Sequence, residues 1–113
     1  MLNGGTGNDT IQGGGNSDVI YGANGQDVLT GNGGKDVFVL SPGRDTITDF
    51  NIKKDVIGLV YPLDLKIKQK GKDLQIKGND NVNTLILNID RDDFLANYPD
   101  NLQIVPAVDV FLT

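Results

Sequence analysis

The feature that most constrains this chain is an aspartate that returns every ninth residue in its first half. These aspartates are Asp9, Asp18, Asp27, Asp36 and Asp45. The first four follow glycine-rich stretches, and the block before Asp45 keeps one glycine, Gly43. Two places after each aspartate comes a large apolar residue: Ile11, Ile20, Leu29, Phe38 or Ile47. A flexible linker needs no such period. A fixed period with one apolar position per unit indicates a repeat architecture, in which each unit packs on its neighbours.

Aligned on this period, the blocks begin at residues 4, 13, 22, 31 and 40. Each divides into a six-residue turn and a three-residue strand whose middle side chain points inward. The turns need backbone angles that glycine takes freely and asparagine tolerates, so Asn16 and Asn32 are expected at left-handed positions. Ala23 is expected to have a negative φ or mild strain. One strand per block predicts a flattened coil with two blocks per revolution, so that block n stacks on block n + 2.

This stacking brings Asp9 near Asp27, Asp18 near Asp36, and Asp27 near Asp45. Two bare carboxylates on strands about 4.8 Å apart repel each other by about 3 kcal/mol at an effective dielectric constant of about 20. A cation midway would lie about 2.4 Å from each turn, within the calcium–oxygen range of about 2.3–2.6 Å and beyond the magnesium range of about 2.0–2.1 Å. Glycine turns can aim backbone carbonyls at the same ion. The pattern therefore predicts a ladder of calcium ions.

The blocks GGTGNDTIQ, GGGNSDVIY, GANGQDVLT and GNGGKDVFV resemble the nonapeptide of RTX (repeats-in-toxin) proteins, G-G-x-G-x-D-x-U-x. Residues 43–50 and 55–59 are also similar to the segment that closes such repeats in serralysin-type proteins. The resemblance implies an all-β fold with a right-handed parallel β-roll, a calcium-binding solenoid, over residues 1–50. A small antiparallel β capping region with one short helix is expected over residues 51–113.

In that family a calcium ion lies between the turns of blocks n and n + 2, bound by both aspartates and by backbone carbonyls. The resemblance implies three such sites here. The first would use Gly5, Gly7 and Asp9 with Gly22, Asn24 and Asp27. The second would use Gly14, Asn16 and Asp18 with Gly31, Gly33 and Asp36. The third would use Ala23, Gly25 and Asp27 with Leu40, Pro42 and Asp45, although Leu40 and Pro42 depart from the family pattern. Whether Asp49 completes a further site above Asp36 stays open.

From Asp55 the period stops and apolar residues alternate with polar ones. Residues 65–69, 74–77 and 84–89 predict an antiparallel meander with lysines on its solvent face. Asp90 predicts the N-cap of a helix from Arg91 to Tyr98, ended by Pro99, and two short strands are expected over 102–105 and 108–112. A solenoid end exposes strand edges, so this half is predicted to cap the C-terminal end. The uncapped N-terminal end predicts further repeats, or a catalytic region, upstream in a longer chain.

The composition argues against several function classes. The chain has no cysteine and no histidine, which excludes thiolate metal sites, the usual zinc ligand and histidine-based catalytic triads. A formal net charge of −5 argues against a nucleic-acid partner. No apolar run approaches the roughly 20 residues of a membrane span. Paired aspartates suit acid–base catalysis, but their regular repetition favours a structural role, so the chain is predicted not to be an enzyme.

The two ends of the chain bear on its location. The first residues lead directly into the repeats, so no cleavable signal peptide is expected. The last five, Asp109 to Thr113, are similar to the C-terminal export signal of type I secreted RTX proteins. The resemblance implies type I secretion and folding on Ca²⁺ outside the cell. Two alternatives stay open: the C-terminal domain of a secreted metalloprotease or lipase, and an adhesive or surface-layer module.

Overall fold

Short strands separated by glycine-rich turns make up most of the computed structural model, which describes residues 2–59, 64–79, 81–97 and 100–104. Within these residues the fold is all-β apart from one short helix, as predicted. The strands are β1 (Leu2–Asn3), β2 (Thr10–Gln12), β3 (Val19–Tyr21), β4 (Val28–Thr30), β5 (Val37–Val39), β6 (Gly43–Ile47), β7 (Val56–Leu59), β8 (Lys66–Lys70), β9 (Asp73–Lys77), β10 (Val82–Ile86) and β11 (Leu102–Ile104), and the helix is α1 (Arg91–Ala96).

The strands form two sheets. The first has the order β1-β3-β5-β7-β11 and is parallel throughout. The second has the order β2-β4-β6-β10-β9-β8. Ile20 pairs with Phe38 in the first sheet and Leu29 with Ile47 in the second, so partners stand eighteen residues apart. The predicted stacking of block n on block n + 2 is confirmed.

The eighth residue of each block packs between the two sheets. Ile20, Leu29, Phe38 and Ile47 are buried there, and Ile11 packs against them at the N-terminal end. One inward side chain per strand is what a three-residue strand provides, because successive side chains alternate between faces. The result is a thin core that lengthens by one apolar residue for every block.

We call residues 2–59, with strands β1–β7, the roll. Its last strand, β7, pairs with β5 so that Phe38 faces Ile57, nineteen residues away instead of eighteen. One extra residue is therefore accommodated in the turn before β7. β7 lies beyond residue 50 and continues the parallel sheet. The domain boundary at residue 50 stays a prediction.

We call the strands β8, β9 and β10 the meander, and their antiparallel pairing agrees with the sequence pattern. The meander is also part of the second sheet, because β10 runs parallel to β6 and places Thr84 beside Asp45. In the first sheet β11 likewise runs parallel to β7, with Leu102 beside Ile57. Each sheet of the roll therefore gains one more parallel strand from the second half.

The helix closes the C-terminal end of the core. Asp90 caps it as predicted, because its carboxylate accepts hydrogen bonds from the backbone N–H groups of Asp92 and Asp93. Its one buried side chain, Phe94, lies 5.9 Å from the ring of Phe50, which in turn lies 6.1 Å from the ring of Phe38. These aromatic contacts fasten the helix to the roll. The helix was predicted to end at Tyr98 but ends at Ala96, because Asn97 leaves the helical conformation at φ −97° and ψ 2°. The predicted strand over 108–112 lies outside the described residues.

Candidate metal centre

The aspartates of the repeats form two columns along the roll. In the first column the backbone N–H of Asp9 donates to Asp27 Oδ1 at 2.9 Å, and that of Asp27 donates to Asp45 Oδ1 at 3.1 Å. In the second column the N–H of Asp18 donates to Asp36 Oδ1 at 3.0 Å. Each acceptor therefore uses one carboxylate oxygen to hold the turn two blocks earlier, which leaves its second oxygen for another partner.

Three carboxylate oxygens of the columns are buried and have no hydrogen-bond partner among the described residues. They are the Oδ2 atoms of Asp9, Asp27 and Asp36. Asp27 and Asp36 are themselves almost fully buried, at 1% and 0% exposure. A buried charged oxygen without a partner is strongly unfavourable unless a counter-ion is bound. These oxygens are therefore suited to bind a cation.

Blocks one to four begin with a glycine, and its missing side chain leaves space beside the aspartate Oδ2 of the same block. A Cβ added to Gly4 would lie 2.8 Å from Asp9 Oδ2 and 3.0 Å from the carbonyl oxygen of Gly22. A Cβ added to Gly13 would lie 2.7 Å from both Asp18 Oδ2 and the carbonyl oxygen of Gly31. Each space is thus bordered by a carboxylate of one block and a backbone carbonyl of the block stacked on it. Oxygen donors from two turns suit a hard cation such as Ca²⁺.

The structure brings several predicted ligands of the first site together. Asp9 and Gly22 border one space, and Asp27 lies beside Asp9 through its hydrogen bond. A Cβ on Gly25 would collide with the carbonyl oxygen of Gly7, so the turns of blocks one and three are in direct contact. The side chain of Asn24 is exposed, and the role predicted for this residue, that of a backbone carbonyl ligand, stays a prediction.

The backbone conformation explains the residues at the second place of the turns. Gly5, Ala23 and Asn32 have φ values of 76°, 62° and 62°. Asn32 is left-handed as predicted, and Ala23 takes the strained alternative. The prediction for Asn16 is wrong, because it is not among the left-handed residues. Its block follows another path, in which the Gly14 N–H donates to Asp18 Oδ2 at 3.0 Å.

The hydrogen bond from the Gly14 N–H to Asp18 Oδ2 makes the second predicted site different from the first, where Asp9 Oδ2 has no partner. Asp18 and Gly31 border one space, and Asp36 is bound to the Asp18 backbone, so three predicted ligands lie together. Gly33 stacks on the block-two turn, since a Cβ added there would lie 3.6 Å from the Cα of Gly15. Because Asp18 Oδ2 already accepts the Gly14 N–H, a cation at this site would share this oxygen with that donor.

The third predicted site differs more. Gly43 takes the place that Gly25 has two blocks earlier, and a Cβ on Gly43 would collide with the Gly25 carbonyl oxygen. The Ser41 hydroxyl donates to Asp45 Oδ2 at 2.9 Å, so both oxygens of this carboxyl have partners. Burial raises the pKa of Asp45 to about 7, and the Asp27 charge adds to the shift, while the hydrogen bonds from Ser41 and the Asp27 backbone oppose it. A cation here would compete with a proton.

The other predicted members of this site surround the same turn. Ala23 is left-handed and half-buried, Leu40 is buried, and Pro42 is half-buried beside Val82, with which it forms an isolated bridge. Leu40 and Pro42 are therefore held by packing against the core and against β10, whereas the corresponding residues of blocks three and four are small or polar. This restricts how far the block-five turn can adjust to an ion.

The second column continues beyond the predicted ligands to Asp55. This buried residue accepts a hydrogen bond from the Asp36 N–H at 2.9 Å through Oδ1 and one from the Asn51 N–H at 2.7 Å through Oδ2. The sequence reasoning missed it as a member of the column because it follows Asp45 by ten residues instead of nine. The signal was present, since Asp55-Val56-Ile57 repeats the aspartate and apolar places of the earlier blocks.

Asp49, which directly follows block five, binds the turn of block four. Its two carboxylate oxygens accept hydrogen bonds from the N–H groups of Gly31 and Asn32 at 2.9 and 2.8 Å. Burial raises the pKa of Asp36, and the charges of Asp55, Asp18 and Asp49 raise it further, against the hydrogen bond from the Asp18 backbone. The C-terminal part of the second column is therefore a concentration of like charge.

The donor set of the columns is mixed. Among residues 2–59, 64–79, 81–97 and 100–104, no three acidic, histidine or cysteine side chains converge on one point. Two carboxylates per space with backbone carbonyls around them is the donor set that the sequence predicts. Such a set has little charge, and its affinity depends on the folded turns that aim the carbonyls.

Comparison with protein families identifies the repeats. Residues 1–29 and 17–47 match the model of the RTX calcium-binding nonapeptide repeat, in four copies. Residues 1–47 are therefore RTX repeats, as the sequence resemblance predicted, and RTX repeats bind calcium. They are a structural module of secreted proteins and not a catalytic one. No curated protein matches the chain, and no helix in the described part of the chain has the length and apolar character needed to cross a membrane.

Proposed function

We propose that this chain folds on binding Ca²⁺ outside the cell and serves as the folding and secretion domain of an extracellular protein. The observation that carries the proposal is the set of buried, unpartnered carboxylate oxygens on Asp9, Asp27 and Asp36. They stand on turns that also present backbone carbonyls, within RTX repeats.

The predicted carboxylate ligands differ in the hydrogen bonds and protons that they already hold. Asp9 and Asp27 would bind the first ion without losing a hydrogen bond, because both Oδ2 atoms lack partners. The second ion would bind Asp36 Oδ2 and share Asp18 Oδ2 with the Gly14 N–H. The third would take the proton and the Ser41 hydroxyl from Asp45, so we expect it to bind most weakly. Asp55, stacked on Asp36, is a further candidate ligand at the end of the second column.

Metal binding and folding are coupled in this arrangement. Without calcium the columns hold like charges in a buried position, which opposes the stacked state. With calcium the same carboxylates become ligands that exist together only in the fold, so the binding free energy becomes folding free energy. Weakly charged sites indicate dissociation constants of roughly 10⁻⁴–10⁻³ M, improved by cooperative stacking. Such a chain would stay largely unfolded in a low-calcium cytosol and fold after export.

Circular dichroism and calorimetry on the purified chain test the coupling. We expect little β-structure in chelator and the full β spectrum at roughly 10 mM Ca²⁺, with more than one ion bound per chain. Magnesium at the same concentration is the control and should leave the chain largely unfolded, because it needs shorter bonds and retains its waters. A chain that is fully folded in chelator and binds no Ca²⁺ would contradict the proposal.

The secretion role has a separate test. Residues 109–113 lie outside the described residues, and their proposed role is as an export signal. Their deletion should abolish export through a type I secretion system, while the calcium titration of the purified chain stays unchanged. Continued export of the truncated chain would remove this part of the proposal and leave the calcium-dependent folding intact.

A further inference from the structure

The outward surface of the meander and the neighbouring strand β6 is rich in cations. Because strand side chains alternate between faces, β9 buries Leu74 and Ile76 and turns its other residues outward. On β6, β8, β9 and β10 the outward positions include one acidic residue, the half-buried Asp73. They also include five exposed cations, Arg44, Lys66, Lys68, Lys70 and Lys77. We call this surface the basic face.

Three of these cations lie in one row across four strands. Lys66 on β8 pairs with Lys77 on β9. Lys77 pairs in turn with Asn83 on β10, and Asn83 pairs with Arg44 on β6. At about 4.8 Å per strand the row is about 14 Å long. Two lysines directly opposite each other destabilise a sheet. Between described residues the one ion pair joins Arg91 and Asp92, so no carboxylate of those residues lies within ion-pair distance of the row, and Asp64 only lines a depression with Lys66 and Lys77.

Protection of an exposed strand edge explains only part of the pattern. β8 is the edge strand of its sheet, and lysines on an edge strand discourage pairing with other chains. This accounts for the three lysines of β8. It does not account for Lys77 on β9 or Arg44 on β6, because both strands are paired on both sides. The cations therefore extend across the sheet, as a surface for an acidic partner would require.

The polar residues between the cations favour one kind of partner. Arg44, Lys70 and Lys77 line a shallow depression of about 310 Å³ together with Gln75 and Asn83, and the one acidic residue in its lining, Asp45, is 3% exposed. The two amides are hydrogen-bonded to each other, with Gln75 Nε2 donating to Asn83 Oδ1 at 3.0 Å. Amides among cations suit a ligand with both hydroxyl and acidic groups. The outward positions of these four strands carry no aromatic side chain on which nucleic-acid bases would stack.

We propose that the basic face binds a linear acidic polysaccharide. The inference goes beyond calcium binding, since none of the five cations is a predicted calcium ligand. Calcium nevertheless favours it, in a step that rests on the proposed function. Three bound Ca²⁺ ions would raise the formal net charge of −5 to about +1 and leave the basic face as a dominant charged surface.

Binding to dextran sulfate at saturating Ca²⁺, with uncharged dextran as the control polymer, tests the proposal. We expect binding to dextran sulfate alone, and a rise from about 50 to about 200 mM salt should weaken it on the order of 100-fold for five contacts. The triple variant Arg44→Gln, Lys66→Gln, Lys77→Gln should bind roughly 100-fold more weakly. The matched variant Lys35→Gln, Lys53→Gln, Lys54→Gln loses the same charge from exposed positions of the roll and should bind within about threefold of the parent.

Equal weakening in both triple variants would overturn the proposal, because binding would then follow net charge alone. So would tighter binding to duplex DNA or to anionic phospholipid vesicles than to dextran sulfate. If a triple variant fails to fold, amide NMR shifts of the unmodified chain replace it, and the largest changes must fall within residues 66–77. Calcium stoichiometry is measured on the same samples, so a failure of calcium binding is seen separately from a failure of the basic face.

Discussion

In the roll the aspartates of the repeats point inward, whereas in the meander the charged residues point outward. Asp27, Asp36 and Asp45 are at most 3% exposed, although they stand in columns of like charge. In the meander Leu74 and Ile76 are fully buried and the lysines lie on the solvent face. Where apolar and charged residues alternate along a strand, the buried apolar area is enough to stabilise the sheet. The roll has one inward apolar residue per block, so its stacking depends on whatever neutralises the columns.

The largest expected effect comes from removing a charge that two sites share. Asp27→Asn keeps an oxygen to accept the Asp9 N–H but removes the carboxylate from the first and third predicted sites. Losing a charged ligand typically costs about 1.5–3 kcal/mol, so calcium affinity measured by calorimetry should fall about 10- to 100-fold. In chelator the same variant should keep more β-structure than the parent, measured by circular dichroism, because one buried like charge has gone.

Asp73→Asn in the meander is the matched control. Asp73 accepts a hydrogen bond from the Asn88 N–H at 2.9 Å but lies outside the columns. Its calcium affinity should equal that of the parent. If Asp27→Asn and Asp73→Asn change calcium binding equally, the difference between roll and meander does not lie in the carboxylate columns.

The second prediction compares a turn of the roll with a turn of the meander. Gly25 and Gly71 both have positive φ, 110° and 65°. A Cβ at Gly71 would meet no atom within 4 Å, whereas a Cβ at Gly25 would collide with the Gly7 carbonyl oxygen. Gly71→Ala should lower the unfolding free energy at saturating Ca²⁺ by about 1–2 kcal/mol, from backbone strain alone. Gly25→Ala should lower it by about 3 kcal/mol or more, because stacked turns must also separate.

Denaturant unfolding at saturating Ca²⁺ measures both changes. Gly25→Ala should also weaken calcium binding, since it moves the turn that carries Asp27, while Gly71→Ala should leave binding unchanged. Equal costs in the two variants would show that the turns of blocks one and three are not stacked as closely as described.

The sequence predicted the roll better than the strands that follow it, and the reason is the range of the signal. Stacking at n + 2 follows from a period that every block repeats. Asp55 was missed because one inserted residue shifts β7 to a nineteen-residue register. The parallel pairing of β10 with β6 and of β11 with β7 joins residues about 40 apart. No spacing in the sequence encodes such a pairing; it arises because the open sheets of the roll need partners.

The same limit applies to the candidate site. The period locates the aspartates, and most left-handed positions fall where glycine or asparagine recurs. It does not reveal that Ser41 satisfies Asp45 or that the Gly14 N–H occupies Asp18, because these bonds depend on the path of a single turn. The sequence therefore predicts equivalent sites, whereas the structure distinguishes one open site from two partly occupied by hydrogen bonds.

The third prediction concerns pH, to which only the roll should respond strongly near neutrality. Burial raises the pKa of Asp45 to about 7 in the calcium-free fold, far above its unfolded value, and the pKa of Asp36 is raised as well. The folded state then binds more protons than the unfolded state between about pH 4 and pH 7. The contribution of these carboxyls to the stability of the calcium-free fold is therefore fully present below this range and is lost as pH rises through it.

Calcium affinity should change in the opposite direction, because the ion replaces the proton on Asp45. Below about pH 7 the third site should weaken by up to about tenfold per pH unit. Calorimetry at about pH 5.5 and pH 8 measures this, and Asp45→Asn should remove that part of the dependence. A calcium-free fold that gains stability from pH 5.5 to pH 8 would contradict the sign of the raised pKa.

The smallest expected effect is the relief of strain at Ala23, the one non-glycine, non-asparagine residue with positive φ in the described chain. A left-handed alanine costs about 1–2 kcal/mol, and glycine removes this cost but adds entropy to the unfolded chain, so Ala23→Gly should stabilise the folded state by about 0.5–1 kcal/mol. Gly15→Ala is a useful counterpart, because its φ is not left-handed and its Cβ would meet no atom within 4 Å. It should stabilise by about 0.4–1 kcal/mol for the opposite reason, a less flexible unfolded chain. If Ala23→Gly destabilises the calcium-bound chain, the block-three turn changes its φ on binding the ion, and the strain belongs to the calcium-free state alone.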